Sequence, residues 1–296
     1  MSALLGRLAA RAAGSTQVVL LSMLAAPFLL AAPLLLAAPL LLAAPLLLAA
    51  PSIAGAEVGT QAPFTRVVID AGHGGKDEGA IGVNGILEKN LVLDVSERLT
   101  QLLQAEELMV ILTREKDRFV PLEVRTSRAN DARGDLFVSI HANAAKSRKA
   151  RGIETYFVSL EASDSASSLV AERENQALGS SGPAALAQDP FLALLGDMIS
   201  TDHMADSNAF AKLAQAELAQ VVEESSRGVK QAPFVVLMGV QMPAALIEIG
   251  FLSNKEDASS LRNKAHRQEI AEALARAVVA FGKRYDARRG LDSLAD

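Results

Sequence analysis

Two of the four histidines in this 296-residue sequence stand where apolar runs give out. His73 follows "RVVID" within "VVIDAGHGGKDEGAIG", and His141 lies in "DLFVSIHAN". Near-continuous apolar runs of this length read as strands covered on both faces. Ligand sites in open α/β sheets form at the carboxyl ends of such strands, so the two imidazoles are expected to converge there. Two imidazoles are half of a zinc coordination set. The chain has no cysteine, so any further ligand must be a carboxylate or another histidine. Glu88, in "GILEKN", opens the helix after the glycine loop; its position suits a ligand and a helix-N-terminal acid equally well. Glu248 stands among Leu246, Ile247, Ile249 and Phe251, where a carboxylate is costly unless paired or functional. Desolvation should raise its pKa, which suits a group that takes and returns a proton near neutrality. His203, in a polar stretch, and His266, near a charged helix start, read as surface residues.

The glycines around His73 also raise a phosphate-cradle reading. The stretch lacks the Gly-x-Gly-x-x-Gly spacing, and no Gly-Lys-Ser/Thr follows, so neither nucleotide fingerprint is met. The alternative is that Gly72, Gly74 and Gly75 keep side chains clear of a metal and a bulky ligand.

The elements that must position these residues alternate. Strands are expected at 66–70, 108–113, 135–143 and 152–158, with helices at 88–106 and 121–132. The first helix follows from Leu87, Leu91, Val95, Leu99 and Leu102 at helical spacing, the second from Pro121 in a first-turn position. The alternation breaks over 159–207, a stretch rich in Ser, Ala, Gly and Asp, with helical pieces expected at 165–178 and 190–199. A helix at 208–226, a strand pair at "FVVLMG" and "AALIEIGFLS", and a final helix carrying Ile270, Leu274, Val278 and Phe281 on one face complete the chain. The pattern is that of an α/β domain with a mostly parallel sheet and one helical insertion.

The chain is 50% hydrophobic and 21% charged, enough apolar material for a substantial core. Residues 18–51 carry no charge and repeat "AAPLLL" with period six. Such a run could span a bilayer, but prolines at 27, 33, 39, 45 and 51 oppose a stable helix. Arg7 and Arg11 before it and "AGA" at 54–56 after it fit a secretory signal, residues 1–56, followed by a linker at 57–65. Cleavage would leave 240 residues and move the net charge from −5 to −7 with the loss of two arginines. An acidic chain without tryptophan or a basic run is a poor nucleic-acid binder, and one without cysteine has no disulfide framework.

Four ordered motifs, "VVIDAGHGGKDEGAIGVNGILEKN", "RTSRANDARGDLFVSIHANA", "GIETYFV" and "MPAALIEIGFLSN", resemble the zinc-dependent N-acetylmuramoyl-L-alanine amidases of the AmiA/AmiB/AmiC type, the amidase_3 family. The likeness runs over 66–285, leaving 286–296 as a tail. It implies a single domain with a twisted mixed sheet flanked by helices on both faces, zinc held by His73, Glu88 and His141, and Glu248 as the catalytic carboxylate. The implied substrate is peptidoglycan, cut at the amide between the lactyl group of N-acetylmuramic acid and L-alanine in the periplasm, during wall remodelling and daughter-cell separation. Regulated members carry an inserted helix whose glutamate fills the open zinc position until a degenerate endopeptidase-like activator withdraws it. "AERENQALG" resembles that segment, with Glu174 as the blocking residue and Glu172 as the second choice, and Phe191 to Ile199 would dock the activator. Two departures stand out: Met238 occupies a place where relatives often have a basic residue, and the 57–65 linker is too short for a septal-targeting domain. After signal cleavage no membrane anchor is expected. Another zinc peptidase or deacylase of the wall, or a wall-binding module without catalysis, is the competing reading.

Overall fold

The apolar runs do become a sheet, and one strand inserted out of sequence order defines it. The computed structural model describes residues 62–83, 85–178, 201–222 and 226–291. Six strands, β1 (Arg66–Ala71), β2 (Met109–Leu112), β3 (Leu136–Asn143), β4 (Ile153–Val158), β5 (Ser226–Ala232) and β6 (Ala244–Phe251), lie in the order β2-β1-β3-β6-β4-β5. All neighbours are parallel except β4 and β6, so the sheet is mixed and mostly parallel, as expected.

Side chains alternate across the strands and feed two cores. Val67, Ile69, Val138, Ile140, Ala245 and Ile247 point to one face. There they meet α1 (Glu88–Ala105), α4 (Thr201–Ala219) and α6 (Lys264–Arg288) through residues such as Leu99, Phe210 and Phe281. Val68, Phe137 and Leu246 point to the other face, towards α2 (Leu122–Asp131) and α3 (Ser165–Glu174). By the same alternation Asp70, Ser139, His141, Asn143 and Glu248 belong to the α2–α3 face, and all are buried. The first face is therefore apolar except for Thr155, whose hydroxyl bonds Gln215 of α4, while the other becomes polar towards the strand ends.

Three expectations are corrected. "FVVLMG" is not a strand: Val235–Leu237 form a 3₁₀ turn whose Val236 and Leu237 pack into the second core. The strand is Ser226–Ala232, a polar sequence because it is an edge strand, buried only at Ala232. The preceding helix accordingly lies earlier, at Thr201–Ala219, and begins inside the stretch expected as insertion. The terminal helical region is two helices, α5 (Lys255–Arg262) and α6, each started by an asparagine that caps its own first turn, Asn254 and Asn263. Residues 165–178 are helical as expected, α3 continuing as a 3₁₀ turn over Asn175–Leu178. The segments at 1–56, 190–199 and 292–296 lie outside the described residues. Among the described residues no helix is long and apolar enough to cross a membrane.

Candidate metal centre

Where β1 ends, three consecutive residues adopt positive φ: His73 at 58°, Gly74 at 124° and Gly75 at 62°. A left-handed histidine costs roughly 1–2 kcal/mol, so the surroundings must hold it there. The turn carries the His73 ring over the end of β3, where His141 stands, with ring centroids 4.9 Å apart. Gly72 makes this approach possible, since a Cβ there would collide with the His141 ring. Gly79 has the same use, because its Cβ would come within 2.6 Å of both the His73 ring and Glu88 Oε2. Gly74 and Gly75 do something else: a side chain there would strike the backbone of Arg118 and Phe119. The expectation that all three glycines of the turn clear the metal site therefore holds for Gly72 alone.

Glu88, though first in α1, does not cap that helix. Its Oε2 accepts from the Ala80 N–H at 2.7 Å, and its Oε1 accepts from the Ala142 N–H at 2.9 Å. Oε1 also lies 3.0 Å from His73 Nε2 and 3.2 Å from His141 Nδ1. These partners draw its carboxylate away from the helix N-terminus and towards the two imidazoles. From the other side, the last residue of α3 brings Glu174 Oε2 to 3.1 Å from His73 Nε2 and 2.9 Å from His141 Nδ1. Glu172 on the same helix is exposed.

His73, Glu88, His141 and Glu174 thus offer four ligand atoms, all within 4.8 Å of one another. Four of the six separations are 2.9–3.2 Å. A zinc tetrahedron with bonds of about 2 Å has edges of roughly 3.3 Å, so the spacing fits such an ion. The hydrogen bonding fits as well: His73 Nε2 and Glu174 Oε2 are buried without any hydrogen-bond partner despite their close neighbours, as expected of atoms aimed at a common centre. His73 Nδ1 lies 3.0 Å from Asp77 Oδ2, and a proton shared there leaves the Nε2 lone pair facing the cluster. His203 and His266 do not belong to this cluster.

Electrostatics bind the four together. Burial lowers both histidine pKa values, but the Glu88 charge carries His73 well above its ordinary value, and the Glu174 charge carries His141 up to about 9. Burial raises Glu88, and the His73 charge with hydrogen bonds from both rings outweighs it, holding the carboxyl at about 2. Glu248 behaves oppositely. It is fully buried, neither of its oxygens has a hydrogen-bond partner, and burial followed by the Glu174 charge raises it well above the carboxylate range. Register places it directly across from His141 on β3 and from Glu154 on β4. Glu154 beside it is paired by two basic residues of β5, Arg227 and Lys230, while Met238 lies beyond the 3₁₀ turn.

Two further residues, Asp77 and Arg173, contribute to the site. Asp77 was visible in principle, four residues after His73 in "HGGKD". Arg173, inside "AERE", carries no motif signal in the sequence. Its guanidinium donates to Glu174 Oε1 at 2.9 Å, to Asn143 Oδ1 at 2.9 Å and to the Ala144 carbonyl, and stands 4.0 Å from Glu248 Oε1. A cavity of about 510 Å³ opens beside the cluster, lined in part by Lys76, Phe119 and Gln176.

Comparison with known proteins identifies the family. Residues 67–280 match the family model described as N-acetylmuramoyl-L-alanine amidase, Amidase_3. The chain belongs to that family. Among amidase relatives, AmiA of Escherichia coli K12 is 36% identical over 222 residues, covering 74% of this chain and 77% of AmiA. AmiC of Escherichia coli O6:H1 is 33% identical over 217 residues, covering 73% of this chain and 52% of AmiC. The match to AmiC of Neisseria meningitidis covers 51% of that protein, so the chain spans about half the length of these two AmiC relatives. The amidase fold itself is matched by the solved structure of AmiC2 of Nostoc punctiforme, with a TM-score of 0.57 and 27% identity over 75% of this chain and 99% of that one. The catalytic domain of CwlV from Paenibacillus polymyxa matches at the same TM-score and identity, covering 73% and 97%.

Proposed function

We propose that this chain is a zinc-dependent N-acetylmuramoyl-L-alanine amidase that hydrolyses the bond between the lactyl group of N-acetylmuramic acid and L-alanine of peptidoglycan. The observation that carries the reading is the four-donor cluster with 2.9–3.2 Å edges, facing a buried carboxylate one strand away. His73, Glu88 and His141 hold the ion. Bound zinc supplies Lewis acidity, polarising a carbonyl and acidifying a water. Glu248 is the general base: protonation is favoured in its apolar setting, so it takes the attacking water's proton and passes it to the departing alanine nitrogen. The 510 Å³ cavity beside His73 receives the glycan-peptide.

Glu174 has the role of an internal inhibitor in this reading. It occupies the place among the donors that a substrate or water needs, and α3 lies over the polar face of the sheet. Arg173 reinforces it by bonding Glu174 and standing beside Glu248, so that withdrawal of α3 removes both. A partner protein of endopeptidase-like fold, docking on 191–199, would withdraw it. Residues 1–56 act as the export signal, 57–65 as linker and 159–207 as the regulatory insertion, which puts the enzyme in the periplasm during wall remodelling and cell separation.

Zinc quantification together with hydrolysis of purified muropeptides, with and without chelator, tests the reading. Chelator-sensitive release of stem peptide, leaving intact glycan with free lactyl groups, is expected. Cleavage inside the peptide or deacylation of the sugar would make it another zinc hydrolase, and binding of sacculi without turnover would make it a wall-binding module. Glu174→Ala should raise activity on sacculi in the absence of any partner; unchanged activity would remove the inhibitor role.

A further inference from the structure

Two arginines that the mechanism does not use, Arg114 at the end of β2 and Arg125 in α2, are among the most deeply buried side chains in the molecule. Their hydrogen bonds converge on the turn that carries His73. Arg114 Nε donates to the Ala71 carbonyl at 2.8 Å, and its Nη2 donates to the Gly72 carbonyl at 2.7 Å. Arg125 Nη1 donates to Ala71 at 2.7 Å, and its Nη2 donates to the His73 carbonyl at 2.7 Å. Three successive carbonyls, just where β1 runs out of ladder partners and turns left-handed, are therefore gripped by two guanidinium forks. Arg114 Nη2 also donates to the Lys89 carbonyl at 2.7 Å, joining the turn to the residue after Glu88. Arg125 is itself located by Asp70, whose Oδ1 accepts from it at 2.8 Å and from Thr113 at 2.5 Å, while Oδ2 accepts from Ser139 at 2.8 Å.

Stapling β1 to its neighbours would not require this arrangement. Among the described residues Arg114 bonds only to backbone carbonyls, an expensive way to bury a charge compared with apolar packing. What the charge provides is direction. A planar fork with five fixed donors can hold several carbonyls at set angles, which an ammonium cannot. The carbonyls so held flank the one non-glycine residue of the turn that needs positive φ and whose ring reaches the donor cluster.

We infer that Arg114 and Arg125 are positioning residues for the metal, pre-setting the left-handed His73 turn and its distance from Glu88 before an ion binds. The inference rests on the zinc reading above. It is tested with the purified full chain and its R114K and R125K variants, which keep the charge and lose the fork. Zinc dissociation constants are measured by competition with a chromophoric chelator at fixed pH, the visible d–d spectrum is recorded with cobalt in place of zinc, and unfolding of the metal-free protein is followed. A variant that still unfolds cooperatively should bind zinc some 10–100-fold more weakly, show altered cobalt bands, and recover hydrolysis when zinc is raised above its new dissociation constant. Wild-type affinity and wild-type cobalt bands in the variants overturn the inference alone. Loss of cooperative unfolding in both variants also overturns it, because the arginines would then be holding the fold and not the turn. A wild-type chain that binds no zinc overturns the metal reading and this inference with it.

Discussion

At the scale of single residues, the site depends on what is missing as much as on what is present. Gly72 leaves the space that the His141 ring occupies, so Gly72→Ala must push that ring aside. A forced shift of this kind costs about 1–3 kcal/mol in a packed interior, and the melting temperature of the variant checks it. Asp77 is the residue that fixes which nitrogen of His73 faces the cluster. Asp77→Ala should weaken zinc binding roughly 10–100-fold in a chelator competition while leaving the fold intact. Glu248→Gln keeps the size of a side chain that is buried without a hydrogen-bond partner but cannot accept a proton. Its turnover of muropeptides should fall by roughly 10²–10⁴ with zinc stoichiometry unchanged, and full residual turnover would remove Glu248 from the mechanism.

At the scale of elements, α3 is the one that carries Glu174 into the site. It starts at an Asp164 cap, whose carboxylate accepts from the Ser167 N–H at 2.7 Å and hydroxyl at 2.8 Å, and it ends in Glu174. Asp164→Ala removes an N-cap worth about 1 kcal/mol and should raise partner-free activity in the same direction as Glu174→Ala, though less. The Ser167 bonds and the Lys230 charge hold the Asp164 pKa at about 2, below its unfolded value. A depressed carboxyl stabilises above its unfolded pKa and loses that contribution as pH falls through its folded one. The stability gap between wild type and D164A should therefore be full at pH 5 and shrink between about pH 4 and pH 2, as denaturant titrations at each pH would measure. Elements were also where sequence reading erred. β5 is polar because an edge strand need not bury both faces, whereas "FVVLMG" is apolar because its 3₁₀ turn packs on a core. Apolarity reports burial, and only by habit does it report a strand.

At the scale of the whole molecule, four donors drawn from the β1 turn, α1, β3 and α3 make any bound ion a link between distant parts of the chain. Zinc at about a hundred times its dissociation constant should stabilise the fold by roughly 2.7 kcal/mol. In a domain of this size that is a rise of some 5–11 °C in melting temperature, reversed by chelator, and scanning calorimetry would detect it.

Much of this was legible in the order of residues alone: most of the alternation of strand and helix, that His73 and His141 close two apolar strands, that Glu248 is buried, and which family the motifs belong to. Those features are local, written in periodicity, hydrophobicity and motif order. The rest depends on contacts between segments distant in the chain. Only the insertion of β6 between β3 and β4 puts Glu248 opposite both His141 and Glu154. Only the packing of the β1 turn against β3 explains Gly72, and only the accepted N–H groups of Ala80 and Ala142 turn Glu88 away from its helix. Nothing near Arg114 in "LTREKD" or Arg125 in "PLEVRT" announces the carbonyls they hold. Strand order and register join residues tens to more than a hundred positions apart, and a pattern with a period of two to four residues cannot encode such pairings.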